Sequence, residues 1–324
     1  MSNGEMQKYA VISGLGRSGT NWLLELFNLS PETYCRNEPY ASNGAALAEL
    51  EYYRFVNRPM IAELEKSWDQ AISSTLGHMG YRDPVIDVQK NYMHRTAYDL
   101  GLYRMVRGRK YRKLLSLCDR NLWGEQWPVP GYLCDMGEQR KAFGVVKLTR
   151  SPGWTNFILK HRPRVPVFHI VRHPGGYLNS WANRYLSTTT PESSARLKRL
   201  TLIDICTTEP EWHELMGDVD VMGIEELHLW FWVYMNKTIY ENGRDQSNYH
   251  YIVYEDLVTA QYEIIRPLFE KYGLEWSAKI ESKIGQIGEK SSGISKAWRD
   301  KLSREQIEIA EKFADMGKEF LPAS

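Results

Sequence analysis

The segment Tyr9-Ala-Val-Ile-Ser-Gly14-Leu-Gly16-Arg17-Ser18-Gly19-Thr20-Asn21-Trp22 concentrates groups that can bind an anion. A short apolar run enters a glycine-rich turn and then an amphipathic pattern, which predicts a strand, a tight loop and a helix start. The loop amides and the positive end of the helix dipole then converge on one point, a site for a phosphate or a related group. Gly14, Gly16 and Gly19 fit the dinucleotide spacing G-x-G-x-x-G, and Glu38 follows Gly19 by 19 residues, the place of a ribose-binding acid. Against that template, the second strand Thr33-Tyr-Cys-Arg-Asn37 is polar and Arg17 occupies the turn. Gly14 and Gly19 also have the spacing of the nucleoside-triphosphate loop, but Thr20 replaces its lysine and Asn21 its magnesium-binding hydroxyl.

A second segment, Val165-Pro-Val-Phe-His-Ile-Val171-Arg172-His-Pro-Gly-Gly-Tyr177-Leu-Asn-Ser180-Trp181, has the same grammar. An apolar strand ends at Arg172, a Pro-Gly-Gly turn follows, and a helix is expected from near Tyr177. Arg172 then sits at the carboxyl edge of a sheet, where ligands of open α/β folds bind. A guanidinium can fork onto a phosphate, and the Ser180 hydroxyl can add a further bond.

With the cation inside the loop as Arg17-Ser18-Gly19-Thr20, the first segment resembles the 5′-phosphosulfate loop of sulfotransferases that use 3′-phosphoadenosine 5′-phosphosulfate (PAPS). Carbohydrate and tyrosylprotein members usually carry Arg-Ser-Gly-Thr there, and cytosolic members Lys-Ser-Gly-Thr. The resemblance implies that Gly16, Arg17, Ser18, Gly19, Thr20 and Asn21 hold the 5′-phosphosulfate. Arg172 and Ser180, eight positions apart, resemble the pair that holds the 3′-phosphate. Tyr249-His-Tyr-Ile-Val-Tyr254-Glu255-Asp256-Leu257 is similar to a late strand and turn of the family. Glu289-Lys-Ser-Ser-Gly293-Ile-Ser-Lys296-Ala-Trp298-Arg299 is similar to its final basic loop, with Lys296 as the phosphate partner.

Sulfuryl transfer needs an in-line arrangement, stabilisation of the leaving phosphate and removal of a proton from the acceptor. Backbone amides 16–21 would give the first, and Arg17, which needs no metal beside it, the second. Cytosolic members take the proton with a histidine in Lys-Thr-His; here Lys147-Leu-Thr149 keeps the lysine but not the histidine. Members with an arginine loop use a glutamate just after the second strand, which implies Glu38 as the base. Lys147 would assist charge on the sulfuryl or bridging oxygen, and His94 is the second choice of base. The resulting expectation is a PAPS-dependent sulfotransferase acting on a hydroxyl, or secondarily an amine, of a small molecule or saccharide. A kinase-like phosphotransferase and a non-catalytic nucleotide-binding protein are the alternatives.

The elements that must position these groups are legible as five strands, 8–13, 33–37, 143–149, 165–171 and 249–254, separated by helical segments. That order predicts an α/β fold: a three-layer, P-loop-like parallel sheet flanked by helices. A helix from about Asn21 to Asn28 follows the first loop. Ser303 and Gln306 form a capping box ahead of a last helix with Ile307, Ala310, Phe313 and Ala314 on one face. Residues 40–140 show helical periodicity and no convincing strand, so they are expected to form a mostly helical insertion walling the acceptor site. Most of Tyr52, Tyr53, Trp68, Tyr92, Tyr98, Trp123 and Trp127 should be its core. The 324 residues contain no repeat or linker, which favours one domain.

With 43% hydrophobic and 25% charged residues, the chain has the composition of a folded protein. A net charge of +1 argues against nucleic acid or an anionic membrane as partner. The polar start of the chain, the absence of a long apolar run, and scattered Cys35, Cys118, Cys134 and Cys206 suit the cytoplasm. His169 and His173 straddle a strand end and a proline turn, so no metal pair is expected.

Overall fold

The first strand, β1 (Tyr9–Gly14), is buried at every position, as the middle of a parallel sheet covered on both faces requires. Its alternate residues go to opposite faces: Tyr9 and Val11 join a core with Trp154 and Phe157, while Ala10 and Ile12 join one with Phe27 and Phe168. In a computed structural model, residues 8–41, 45–50, 52–55, 62–80, 82–107, 126–129, 131–185 and 190–321 are described. Six further strands follow β1: β2 (Thr33–Asn37), β3 (His78–Gly80), β4 (Gln126–Pro128), β5 (Phe143–Thr149), β6 (Val167–Val171) and β7 (Tyr249–Val253). The main sheet is parallel throughout, in the order β2-β5-β1-β6-β7. Its strands lie within two residues of the expected spans. β6 begins after Pro166, which has no N–H to give to a ladder but accepts from the Val11 amide at 2.8 Å.

The helix α1 (Thr20–Asn28) packs on one face, where Phe27 stacks on Phe269 at 5.2 Å between ring centroids. The Pro152–His161, Pro174–Tyr185, Ile224–Gly243 and Arg304–Met316 helices contribute to the other two cores. The last has the expected cap: Ser303 Oγ accepts from the Gln306 amide, and the Gln306 side chain accepts from the Ser303 amide. The register sets Gly14 beside Thr149 and Ile170, Asn37 beside Lys147, and Val171 beside Val253. All five strands therefore finish on one rim. The Arg17 turn, Glu38, Arg150, Arg172 and Tyr254 follow them directly.

Gly14 makes this crowding possible. Its φ is 145°, and a Cβ there would lie 2.5 Å from the Ile170 carbonyl oxygen. Gly14→Ala is expected to destabilise the fold by about 2–4 kcal/mol, because the clash is with backbone that cannot turn aside. A lowered midpoint of thermal unfolding would register this, and an unchanged one would contradict the close approach.

Three expectations are corrected. The 40–140 segment is not free of strands, since β3 and β4 pair antiparallel; each is three residues long, too short for a period of two to show. The helix after Arg172 begins at Pro174, not near Tyr177, because proline's fixed φ suits the first helical turn. Residues 289–296, read as a loop, are the end of an Ala278–Lys296 helix. Within the insertion Trp68 and Tyr92 are buried and Tyr98 is half-buried. Cys118, Trp123 and the side chains of Tyr52, Tyr53 and Trp127 lie outside what the structure describes. No helix among the described residues is long and apolar enough to cross a membrane.

Candidate active site

The turn from β1 into α1 runs through left-handed backbone at Arg17 (φ 80°) and Gly19 (φ 94°). A Cβ on Gly19 would come within 2.5 Å of the Tyr254 ring, so glycine lets the turn close onto that ring. The Arg172 Nη1 donates to the Arg17 carbonyl at 3.0 Å, and Arg17 Nε donates to Ser180 Oγ at 3.0 Å. These bonds bring together the two segments that the sequence singled out. The buried Arg172 guanidinium also lies 4.4 Å over the Tyr254 ring centroid. Burial pushes its pKa down from the ordinary value, while Tyr254 and Glu255 pull the other way.

Arg17, Gly19, Thr20, Asn21, Trp22, Glu25, Arg172, Ser180 and Tyr254 line a cavity of about 300 Å³, with Glu25 its one carboxylate. The first amides of α1 have no partner inside the helix and are free to meet an anion. Ser18 Oγ and Arg172 Nε are buried with no hydrogen-bond partner among the described residues. A ligand with anionic groups at two places suits this set of donors. Lys296 is exposed at the end of its helix and lines no cavity here. Two positions on, buried Trp298 stacks on His173, next to Arg172, at 4.7 Å between centroids.

Glu38 stands on the other side of Arg17, also in left-handed backbone (φ 48°). Its amide donates to the Lys147 carbonyl at 3.1 Å. Its Oε1 accepts from Thr149 Oγ1 at 2.8 Å and lies 3.1 Å from Lys147 Nζ. Arg82 Nη1 is 3.9 Å from Oε2. Lys147 Nζ also donates to Asn21 Oδ1, so one ammonium links the anion loop to the carboxylate. Burial pushes the Glu38 carboxyl up, but Lys147 and Thr149 outweigh it and hold the group below its ordinary range. Burial pushes Lys147 down, and its pairing with Glu38 only partly offsets this. Thr149, at the position where the sequence keeps no histidine, donates its hydroxyl to Glu38.

The insertion fixes Glu38 from outside the sheet. Arg36 is buried and reaches Asp83 at 2.9 Å, and Asp83 Oδ1 accepts from the Asn37 amide at 2.9 Å. The end of β2 is therefore tied down one residue before Glu38. His94, the second choice of base, is exposed, sits 3.1 Å from the Gly131 carbonyl and lines neither cavity.

Glu38 opens into a second cavity, of about 330 Å³. Arg17 lines both cavities. Among the described residues of the insertion, Phe55 lines this cavity. Arg150, Tyr177 and Trp181 line the cavity, with Ser194, Leu197, Lys198 and Thr201 of the Pro191–Thr208 helix and His228 and Phe231 of the Ile224–Gly243 helix. His228 lies 3.2 Å from Tyr177 Oη and 3.3 Å from Ser194 Oγ. Burial, with Lys198 and Arg150 nearby, pushes its pKa down to about 2. Sequence reasoning assigned no role to Tyr254, Arg150, Lys198 or His228. A signal existed for Arg150, which follows β5 as Arg172 follows β6. Arg17, Glu38 and Arg150 are the non-glycine residues of positive φ among those described, and all line this cavity, as strained backbone at functional sites often does.

A parallel sheet flanked by helices, with its strand-to-helix turns gathered on one rim, defines an α/β fold of the phosphate-loop kind. The sequence model of the sulfotransferase family matches residues 10–278, and the chain belongs to that family. Among solved structures, the sulfotransferase domain from the Synechococcus PCC 7002 olefin synthase is similar at 14% identity, with 97% of both chains covered and a TM-score of 0.40. Sulfotransferase STF1 from Mycobacterium tuberculosis H37Rv is similar at 14% identity, over 95% of this chain and 76% of that one, with a TM-score of 0.42. STF9 from Mycobacterium avium is similar at 13%, over 99% and 79%, with a TM-score of 0.41. No curated protein matches at a significant level.

Proposed function

We propose that this sulfotransferase takes its sulfuryl group from PAPS and delivers it to a hydroxyl, or secondarily an amine, of a small molecule or saccharide held beside Glu38. The observation that carries the reading is Arg17, which lines the cavity of the two anion segments and the cavity of Glu38 alike. When bound, PAPS would supply an activated sulfuryl group on a phosphate leaving group. Amides 16–21, Arg17 and Ser18 Oγ would hold its 5′ end. Arg172 would grip the 3′-phosphate, with Ser180 beside it and Lys296 toward the outside.

The rest of the chemistry falls to the protein's own side chains. Glu38 Oε1 is occupied by Thr149 and Lys147, so Oε2, with Arg82 Nη1 at 3.9 Å, would accept the proton of the acceptor hydroxyl. Arg17, fixed and always charged, stabilises negative charge on the leaving oxygen. Lys147 keeps Glu38 and Asn21 in register. Cys35, Cys134 and Cys206 are free of disulfides, which suits the cytoplasm, where we place the reaction.

Adenosine 3′,5′-bisphosphate is expected to raise the melting temperature, and labelled PAPS to pass its label to an acceptor. Stabilisation by NAD or by magnesium ATP, and none by the bisphosphate, would refute the donor. The base makes a separate prediction. A carboxylate held low accepts a proton only above its pKa, so kcat/KM should be lost as pH falls, with the midpoint below the ordinary glutamate value of 4.5. An acid limb near the ordinary histidine value of about 6.5 would assign the base to another group.

A further inference from the structure

We propose that the acceptor is itself an anion: a hydroxyl compound with an apolar or aromatic body and an oxyanion group, which Arg150 and Lys198 bind. This rests on the reading above and names its substrate class.

The cavity beside Glu38 holds three cations, Arg17, Arg150 and Lys198, and one carboxylate. That carboxylate is engaged by Lys147 and Thr149, and Arg17 also faces the donor side. Arg150 and Lys198 thus belong to the acceptor side alone. Among the described residues, neither has a carboxylate within 4.0 Å.

The placement of both cations is built rather than incidental. Arg150 has a left-handed backbone (φ 54°), with its amide donating to the Gly14 carbonyl at 3.1 Å. The Lys198 ammonium lies 3.6 Å over the Phe231 ring centroid, which holds it inward. Burial, with Arg150 and Arg54 nearby, pushes the Lys198 pKa well below its ordinary value. The same two cavity cations help keep His228 neutral. Arg17, Arg150 and Lys198 outnumber the one carboxylate of this cavity, so a bound oxyanion would gain an attraction that a neutral acceptor would not, although Arg150 is exposed and also acts on Glu38. Trp181, Phe231 and Leu197 supply apolar wall, and about 330 Å³ is room for a substituted ring.

The test uses the whole chain saturated with adenosine 3′,5′-bisphosphate and probes the acceptor cavity by calorimetry at fixed ionic strength. The probes are benzoate, phenyl phosphate and benzamide, which share a ring and differ in charge. Both anions are expected to bind at least about tenfold more tightly than benzamide, and their ratio tells a carboxylate from a phosphate site. Lys198→Met keeps an apolar stem on Phe231, and Arg150→Asn suits a positive φ. Each should weaken the anions about tenfold or more, with benzamide and bisphosphate affinity within about twofold. Benzamide binding as well as benzoate, neither anion binding, or anion affinity surviving both substitutions would overturn the proposal. Failure of the bisphosphate to bind wild-type protein would instead refute the donor reading. The anion comparison between wild-type and variant chains then stands without it.

Discussion

Replacing Glu38 by glutamine should lower kcat by a factor on the order of 10²–10⁴, the usual contribution of a positioned general base. Affinity for adenosine 3′,5′-bisphosphate should stay within about twofold, because Glu38 faces the second cavity and does not line the first. The amide is nearly isosteric, so the φ of 48° and the Thr149 bond can persist. What it lacks is the charge that attracts Lys147 and the basicity to take a proton. The lysine is buried and loses its carboxylate, so some stability should be lost too, about 1–3 kcal/mol. Rate and stability separate cleanly: a thermal shift measures the second, and saturating initial rates on folded protein the first. Glu38→Asp should retain part of the rate, since the carboxylate survives but is drawn back. A glutamine variant that keeps more than a tenth of the wild-type kcat would exclude Glu38 as the base.

The second large effect is on the donor. Arg172→Ala should weaken adenosine 3′,5′-bisphosphate by roughly 10- to 100-fold, the value of about 1.5–3 kcal/mol for hydrogen bonds to a charged group. The same change removes the bond to the Arg17 carbonyl and the stacking on Tyr254. Loss of affinity alone would therefore not separate contact from collapse of the turn. Discrimination does. The wild type should prefer the bisphosphate to adenosine 5′-phosphate, and the alanine variant should lose that preference. Arg172→Lys should fall between them, because an ammonium cannot fork. A variant that still tells the two nucleotides apart would place the 3′-phosphate elsewhere.

The main strands, and the turns that follow β1 and β6, could be read in the sequence because they are local. β1, β5 and β6 are short runs of mostly apolar residues, interrupted by Ser13, Lys147 and His169, and Ser303 with Gln306 states a helix start in four residues. What escaped was set by packing. Residues 289–299 are expected to be a loop from their likeness to a basic, glycine-containing loop, yet 289–296 continue the Ala278–Lys296 helix, which also holds Gly285 and Gly288, each costing about 1 kcal/mol in a helix. Ile280 and Ile284, one turn apart and fully buried, hold it as a helix instead. Glu38 and Lys147 meet because Asn37 pairs with Lys147 across the sheet, a register no local pattern announces. Arg150 and Lys198 come from different elements and share a cavity only after folding. The aromatic content of 40–140 suggested a wall for the acceptor. Among the described residues of that segment, Asp83 anchors the end of β2 and Phe55 lines the cavity.

The two cavities rest on different foundations. One is hung from the ends of the central strands, where a shift in any turn would disturb its neighbours. The other is closed by a panel of two helices, Pro191–Thr208 and Ile224–Gly243, of which the first is largely exposed on its outer side. Ser194, Leu197, Lys198 and Thr201 can be varied there without touching a strand end. With the roles proposed above, a library confined to those four positions is expected to change acceptor preference while leaving affinity for adenosine 3′,5′-bisphosphate unchanged.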